Sequence, residues 1–197
     1  MACNITAGRA LDCKDAVGGI KNIYVSTGGQ IDTDNYTESG DLITQIMLTT
    51  SSANWLVFRF ELPKGVSSFT ETLTASPENG TVFFAQSLAI TLHKLEKTTA
   101  KQLKTLATDR PQVIVEDNNG NLLLLGKIGG CDVATGSTAT GAAFGDMNGY
   151  TLEITGMEKD PAVFCTPGTS TTSVEYPLDN IAVIDAGSVS RDITITT

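Results

Sequence analysis

A chain of 197 residues with 41% hydrophobic residues has room for one domain with one real core, which excludes a globally disordered polymer. Its formal charge of −9 excludes a protein that grips nucleic acid by its phosphates, because each such contact needs a cation. Charged residues are only 18% and aromatics 6%; threonine and 19 glycines take their place, a strand residue and a turn residue, so the expected fold is mainly β.

Residues 1–21 are rich in Gly and Ala and lack a sustained period, so they read as an N-terminal arm. A short strand is expected at Asn22 to Val25. The following segment, Ser26 to Asp41, carries four acids and almost no apolar residues, and reads as a long exposed loop of the kind that serves interactions. Leu42 to Thr50 and Asn54 to Leu62 are strands joined by a hairpin-sized Ser51-Ser52-Ala53 connection. In the second of them Leu56, Phe58, Phe60 and Leu62 share one face and Trp55, Val57, Arg59 and Glu61 the other.

Val66 to Ala75 alternates, with Ser68, Thr70, Thr72 and Thr74 as a polar stripe opposite Phe69, Glu71 and Leu73. Ser76-Pro77-Glu78-Asn79-Gly80 is a turn, since Pro presets φ and Asn-Gly accepts positive φ. The return strand, Thr81 to Leu95, puts Val82, Phe84, Gln86, Leu88, Ile90 and Leu92 on one face. One helix follows: Thr98 or Thr99 can cap it, Ala100, Leu103, Leu106 and Ala107 form its apolar stripe, and Pro111 stops it. Its other face is polar, which puts it on the outside of a sheet. Gln112 to Glu116 and Asn121 to Ile128 form a hairpin around Asp117-Asn118-Asn119-Gly120. Ala134 to Asn148 is a Gly-rich connection, and Tyr150 to Met157 is a closing strand. Residues 166–197 read as a C-terminal arm of the same domain, with one or two strands at Ile181 to Ile184 and Ile193 to Ile195.

The chemistry-bearing residues do not assemble into a motif. His93 is the single imidazole, without a GxSxG elbow, and reads as a strand residue on a small-residue face. Cys3, Cys13, Cys131 and Cys165 lack CxxC spacing and read as reduced, partly buried thiols. Asp32-Thr33-Asp34 lacks the glutamate that a calcium loop needs at its twelfth position. Gly126, Gly129 and Gly130 follow an apolar strand without the Lys or helix of a phosphate loop. Glu71 and Glu153 could serve as a carboxylate pair in principle, but read as solvated strand residues. No active site, metal site or cofactor is expected. No run of 18 apolar residues exists, and no basic segment followed by an apolar one opens the chain, so neither a transmembrane helix nor a secretory leader is expected.

The order of elements over residues 41–160 resembles the tail tube proteins of tailed bacteriophages, a fold shared with the tubes of contractile injection and type VI secretion machines. The elements that carry the resemblance are Asn54–Leu62, Val66–Ala75, Thr81–Leu95, the helix between Thr98 and Arg110, Gln112–Ile128 and Tyr150–Met157. The opening MACNITAGRALDCKDAVGGI and the phrase Gly156-Met157-Glu158-Lys159-Asp160-Pro161 are similar to virion proteins of phages infecting Bacteroidota. The resemblance implies a β-sandwich or barrel of long antiparallel hairpins with one external helix, and a structural, non-enzymatic role. Hexameric rings would stack around a channel that conducts DNA during ejection, lined by Ser68, Thr70, Thr72 and Thr74. Its partners would be copies of itself, the tape measure and tail terminator proteins, and passing DNA without specific binding. Its place would be the virion tail, assembled in the host cytoplasm. The acids Asp32, Asp34, Glu38 and Asp41 would reach the adjacent ring. The alternatives are a head-decoration or head–tail joining protein, and a β-sandwich module that binds a surface or carbohydrate.

Overall fold

The runs Val113-Ile114-Val115 and Leu122–Leu125 are too short for helices and apolar on both faces, a pattern that suits strands covered on both sides. The computed structural model, which describes residues 8–9, 14–40, 42–51 and 54–197, places both runs in such a position. In chain order the described elements are β1 (Ile20–Ser26), β2 (Ile31–Ser39), β3 (Leu42–Leu48), β4 (Trp55–Glu61), β5 (Ser68–Ser76) and β6 (Thr81–His93). Then follow α1 (Lys97–Leu106), β7 (Gln112–Asp117), β8 (Leu122–Leu125), β9 (Asp132–Ala139) and β10 (Gly149–Glu158). The chain ends with β11 (Val163–Cys165), β12 (Ala182–Ile184), β13 (Ser190–Arg191) and β14 (Ile193–Thr196). The fold is mainly β.

The strands divide into two sheets. A ten-stranded sheet curls into a nearly closed barrel, with β8, β7, β1, β4 and β14 as consecutive neighbours and β11 pairing β8 to β3. A four-stranded antiparallel sheet, in the order β5-β6-β10-β9, packs against its outside. The wall of β1, β4, β7 and β8 therefore has a core on each side. Inside the barrel Tyr24, Ile43, Ile46, Trp55, Val57, Ile114, Leu122 and Leu124 pack together. Between the sheets Ile23, Val25, Val113, Val115 and Leu125 meet Leu88, Ile90, Leu92, Tyr150, Leu152 and Ile154. The two faces expected of Asn54–Leu62 thus divide between two cores: Trp55 and Val57 face the barrel, Phe60 and Leu62 the intersheet layer.

The helix closes one side of the intersheet core with Leu103 and Leu106. Its N-cap position is Glu96, in extended conformation and without a side-chain cap, so Thr98 and Thr99 are inside the helix and do not cap it. Tyr150 takes over the anchoring: its hydroxyl accepts from the Glu96 amide at 3.3 Å and donates to the Glu96 carbonyl at 3.1 Å.

Further expectations from sequence are corrected. Residues 42–50 and 54–62 do not pair as a hairpin, because β3 is filled by β2 on one edge and by β11 and β12 on the other. β4 pairs instead with β1 and β14. The acidic segment is not a loop. Ile31 is buried in the barrel core and Tyr36 packs on it, which fixes β2 as an edge strand with two register shifts that erase its period. The Gly-rich connection contains β9, whose small exposed residues carry no apolar alternation but pair along β10. The strands expected at Ile181 to Ile184 and Ile193 to Ile195 are present as β12 and β14, but with β13 they pair into the barrel and the segment buries Leu178, Ile181, Val183 and Ile193 in its core. Most of residues 1–13 lie outside the described part; at the end of the N-terminal segment, Val17 exchanges hydrogen bonds with the Asn119 side chain.

Candidate functional site

The four-stranded sheet has one face on the intersheet core and one face open. Register fixes which residues share the open face: Thr70 stands opposite Ser87, Thr72 opposite Ala85, and Thr74 opposite Phe83. Ser68, Thr70, Thr72 and Thr74, the expected stripe, are all exposed on it, while Phe69 turns inward. On the other side of β6 the face continues through Thr151, Thr155 and Ser137, with Ser137 and Thr151 sharing a 2.6 Å hydroxyl–hydroxyl bond. Glu153 stands among them, its carboxylate accepting from Ser87 Oγ at 3.1 Å and Thr135 Oγ1 at 3.4 Å. The four strands contain Glu71, Asp132, Glu153 and Glu158 and not one Lys or Arg. An anion passing the open face meets hydroxyls, the Glu153 carboxylate and, at its edge, Asp132 paired with Arg110 at 3.6 Å.

The outer strands of this sheet, β5 and β9, each pair on one side only among the described residues. Exposed edges of eight and nine residues invite another strand unless something blocks them. The hairpin of β5 and β6 also extends past the core, leaving Leu73 58% and Val82 55% exposed on its inner face, while Met157, 74% exposed, stands on the open face beside Ala85. Phe144, in the connection between β9 and β10, is fully exposed. That connection is held by Asp146, which accepts from the Ala142 and Ala143 amides at 2.8 and 2.7 Å, bonds that hold its carboxyl below the usual range.

Other candidates from the sequence fall apart or turn inward. Glu71 accepts from the Ala162 amide and from Gln86, a residue of the inner face, whereas Glu153 is on the open face, so the two carboxylates cannot act on one substrate. His93 ends β6, exposed. The glycine loop has an anion already: Glu158 Oε1 accepts from the Ile128 and Gly129 amides at 3.0 and 2.8 Å, and the Gly126 amide donates to Gln86 Oε1 at 3.0 Å. Gly126 has φ +64, and a Cβ there would stand 2.7 Å from Cys131 Sγ, so the turn requires glycine. Cys131 and Cys165 are free, buried thiols, each pushed up to about 12 by burial. Cys3 and Cys13 lie outside the described residues.

Of the acids assigned to an inter-ring loop, Glu38 is paired with Lys127, which also lies 5.3 Å above the Tyr36 ring. Asp32 accepts from Asn35 Nδ2 at 2.8 Å, Asp34 is within β2, and Asp41 lies outside the described residues.

One polar cluster escaped sequence reasoning. Glu116, 2% exposed, accepts from Lys21 Nζ at 2.6 Å, Asn22 Nδ2 at 2.7 Å and Tyr24 OH at 2.8 Å at one end of the barrel. The bond to Glu116 raises the Lys21 ammonium above its ordinary value against the opposing effect of burial. Burial first, and the Glu116 bond next, raise the Tyr24 hydroxyl too. Arg59 and Tyr176 complete the wall of a cavity of about 360 Å³ there. The only sequence signal was a glutamate two residues beyond Ile114 on a strand apolar on both faces. Comparison with family models, curated proteins and solved structures gives no match. The geometry therefore carries the functional reading.

Proposed function

We propose that this chain is a structural subunit of a tailed-bacteriophage tail tube, assembling through its four-stranded sheet into rings that stack around a DNA-conducting channel. The observation that carries the reading is the combination of an open face rich in Ser and Thr, on strands that contain no Lys or Arg, and two edges of the same sheet that are unpaired among the described residues.

Strand direction supports it. β5 and β6, β6 and β10, and β10 and β9 are each antiparallel, so β5 and β9 run in opposite directions. Rotation about a ring axis preserves direction. The β5 edge of one copy then meets the β9 edge of the next as an antiparallel pair, and the sheet continues around the ring without an edge. The open face becomes the channel wall, where negative charge keeps phosphate from adhering. Six copies per ring, and the tape measure and tail terminator as neighbours, follow from the resemblance of the element order.

Negative-stain electron microscopy with sedimentation velocity tests the proposal. Rings or tubes with an open channel are expected from the purified chain. A monomer at every concentration, with β5 and β9 amides exchanging hydrogen as free edges, would overturn it.

A further inference from the structure

The chain contains three Asn-Gly pairs, at 79–80, 119–120 and 148–149, and their surroundings differ in the way that decides asparagine chemistry. An Asn side chain is lost when the amide nitrogen of the next residue attacks its Cγ. The new N–C bond closes a succinimide and ammonia leaves; water then opens the ring to an aspartyl or isoaspartyl link. Glycine is the best successor because no Cβ obstructs the approach. The side chain must rotate freely, and the following amide must be able to leave its hydrogen bond.

Asn119 is clamped. Its Nδ2 donates to the Val17 carbonyl at 2.8 Å and to Asp117 Oδ2 at 3.1 Å, its Oδ1 accepts from the Val17 amide at 2.9 Å, and the Gly120 amide donates to the Asp117 carbonyl at 3.2 Å. Asn148 is held as well: Oδ1 accepts from the Leu95 amide at 3.0 Å and Nδ2 donates to the Thr140 carbonyl at 3.4 Å. Its successor Gly149 is buried in β10, where even a Cβ would run into the Leu92 carbonyl. Asn79 stands at the tip of the β5–β6 hairpin, exposed, with one side-chain hydrogen bond among the described residues, Nδ2 to Ser76 Oγ at 3.1 Å. Gly80 has φ +63 and open space around its Cα.

We propose that Asn79 is a self-modification site of the folded chain, converting through a succinimide with Gly80 to an aspartyl or isoaspartyl residue, while Asn119 and Asn148 are protected by the fold. The conversion puts a carboxylate beside Glu78 at the outermost point of the hairpin. The inference holds for the isolated chain and does not depend on the tube reading.

The test is incubation of the folded protein in mildly alkaline buffer, with peptide mapping by mass spectrometry at intervals. The same chain in denaturant serves as reference. In denaturant the three sites are expected to convert at comparable rates. In the folded chain Asn79 is expected to convert at least several-fold faster than the other two, and Gly80→Ala is expected to suppress it. Conversion of Asn119 or Asn148 at the rate of Asn79 in the folded chain would overturn the proposal. So would an Asn79 that stays intact while the denatured chain converts.

Discussion

Glu116 shows how one buried charge is held by its neighbours. Its carboxylate is satisfied by a cation, an amide and a phenol, and removing it leaves the Tyr24 hydroxyl without its acceptor and the Asn22 amide with only the longer 3.4 Å bond to the Tyr24 oxygen at the barrel end. Unsatisfied buried donors cost ~1–3 kcal/mol each, so Glu116→Ala is expected to lose about 3 kcal/mol or more in urea unfolding. The cluster also sets an alkaline limit. Lys21 and Tyr24 both bind their protons more tightly folded than unfolded. Their contribution is complete below their unfolded values and is lost as pH rises through the folded ones. The buried thiols Cys131 and Cys165 follow the same sign from a lower ordinary value, so stability is expected to begin falling above about pH 9 and to fall more steeply beyond about pH 10, where Lys21 and Tyr24 join. A Tyr24→Phe chain should show a shallower fall; an identical alkaline profile would remove Tyr24 from the linkage. At the acid end the sign reverses for Asp117. Burial works against its charged form, but bonds from Asn121 and Asn119 outweigh it and lower its carboxyl. That contribution is present above the ordinary carboxylate range and lost as pH falls through the depressed value.

Among elements, β14 departs most from its reading as part of an arm. Ile193–Thr196 pairs in parallel with Trp55–Phe58, and the Trp55 amide donates to the Asp192 carbonyl at 3.1 Å. Deleting residues 175–197 removes Leu178, Ile181, Val183 and Ile193 from the barrel core. At ~1.5–3 kcal/mol per buried side chain the loss is about 6–12 kcal/mol, comparable to a whole domain's ~5–15 kcal/mol. The truncated chain is expected to be unfolded by circular dichroism and by the emission of Trp55. A truncated chain that melts cooperatively near the full-length temperature would show the C-terminal strands to be dispensable.

At the scale of the whole molecule, the division into two sheets separates two tasks. The barrel and the shared wall hold the cores, so the outer sheet can leave one face polar and two edges open. Thr72 is on that polar face, exposed, where substitution ordinarily changes stability by no more than ~0.5 kcal/mol. Thr72→Lys is therefore expected to keep the wild-type melting temperature. In the proposed tube it would repeat a cation around the channel, so such tubes should retain DNA at low salt and release it as salt rises. Variant tubes that hold DNA no better than wild-type tubes would take Thr72 off the channel wall.

Local chemistry determined much of this protein directly from its sequence. The β5–β6 and β7–β8 hairpins follow from alternation and Asn-Gly turns, and the apolar stripe of α1 from its period, because their deciding contacts lie within a few residues. The exposed Thr stripe was legible for the same reason. Tertiary structure alone decided who neighbours whom around the barrel. β3 and β4 are adjacent in sequence yet do not pair, since β2, β11 and β12 fill both edges of β3. β2 and β9 carry almost no strand pattern and are strands because a partner's edge satisfies their backbone groups. Glu116 and Glu158 look like surface acids in the sequence; they are buried because donors from strands and loops distant in the chain converge on them.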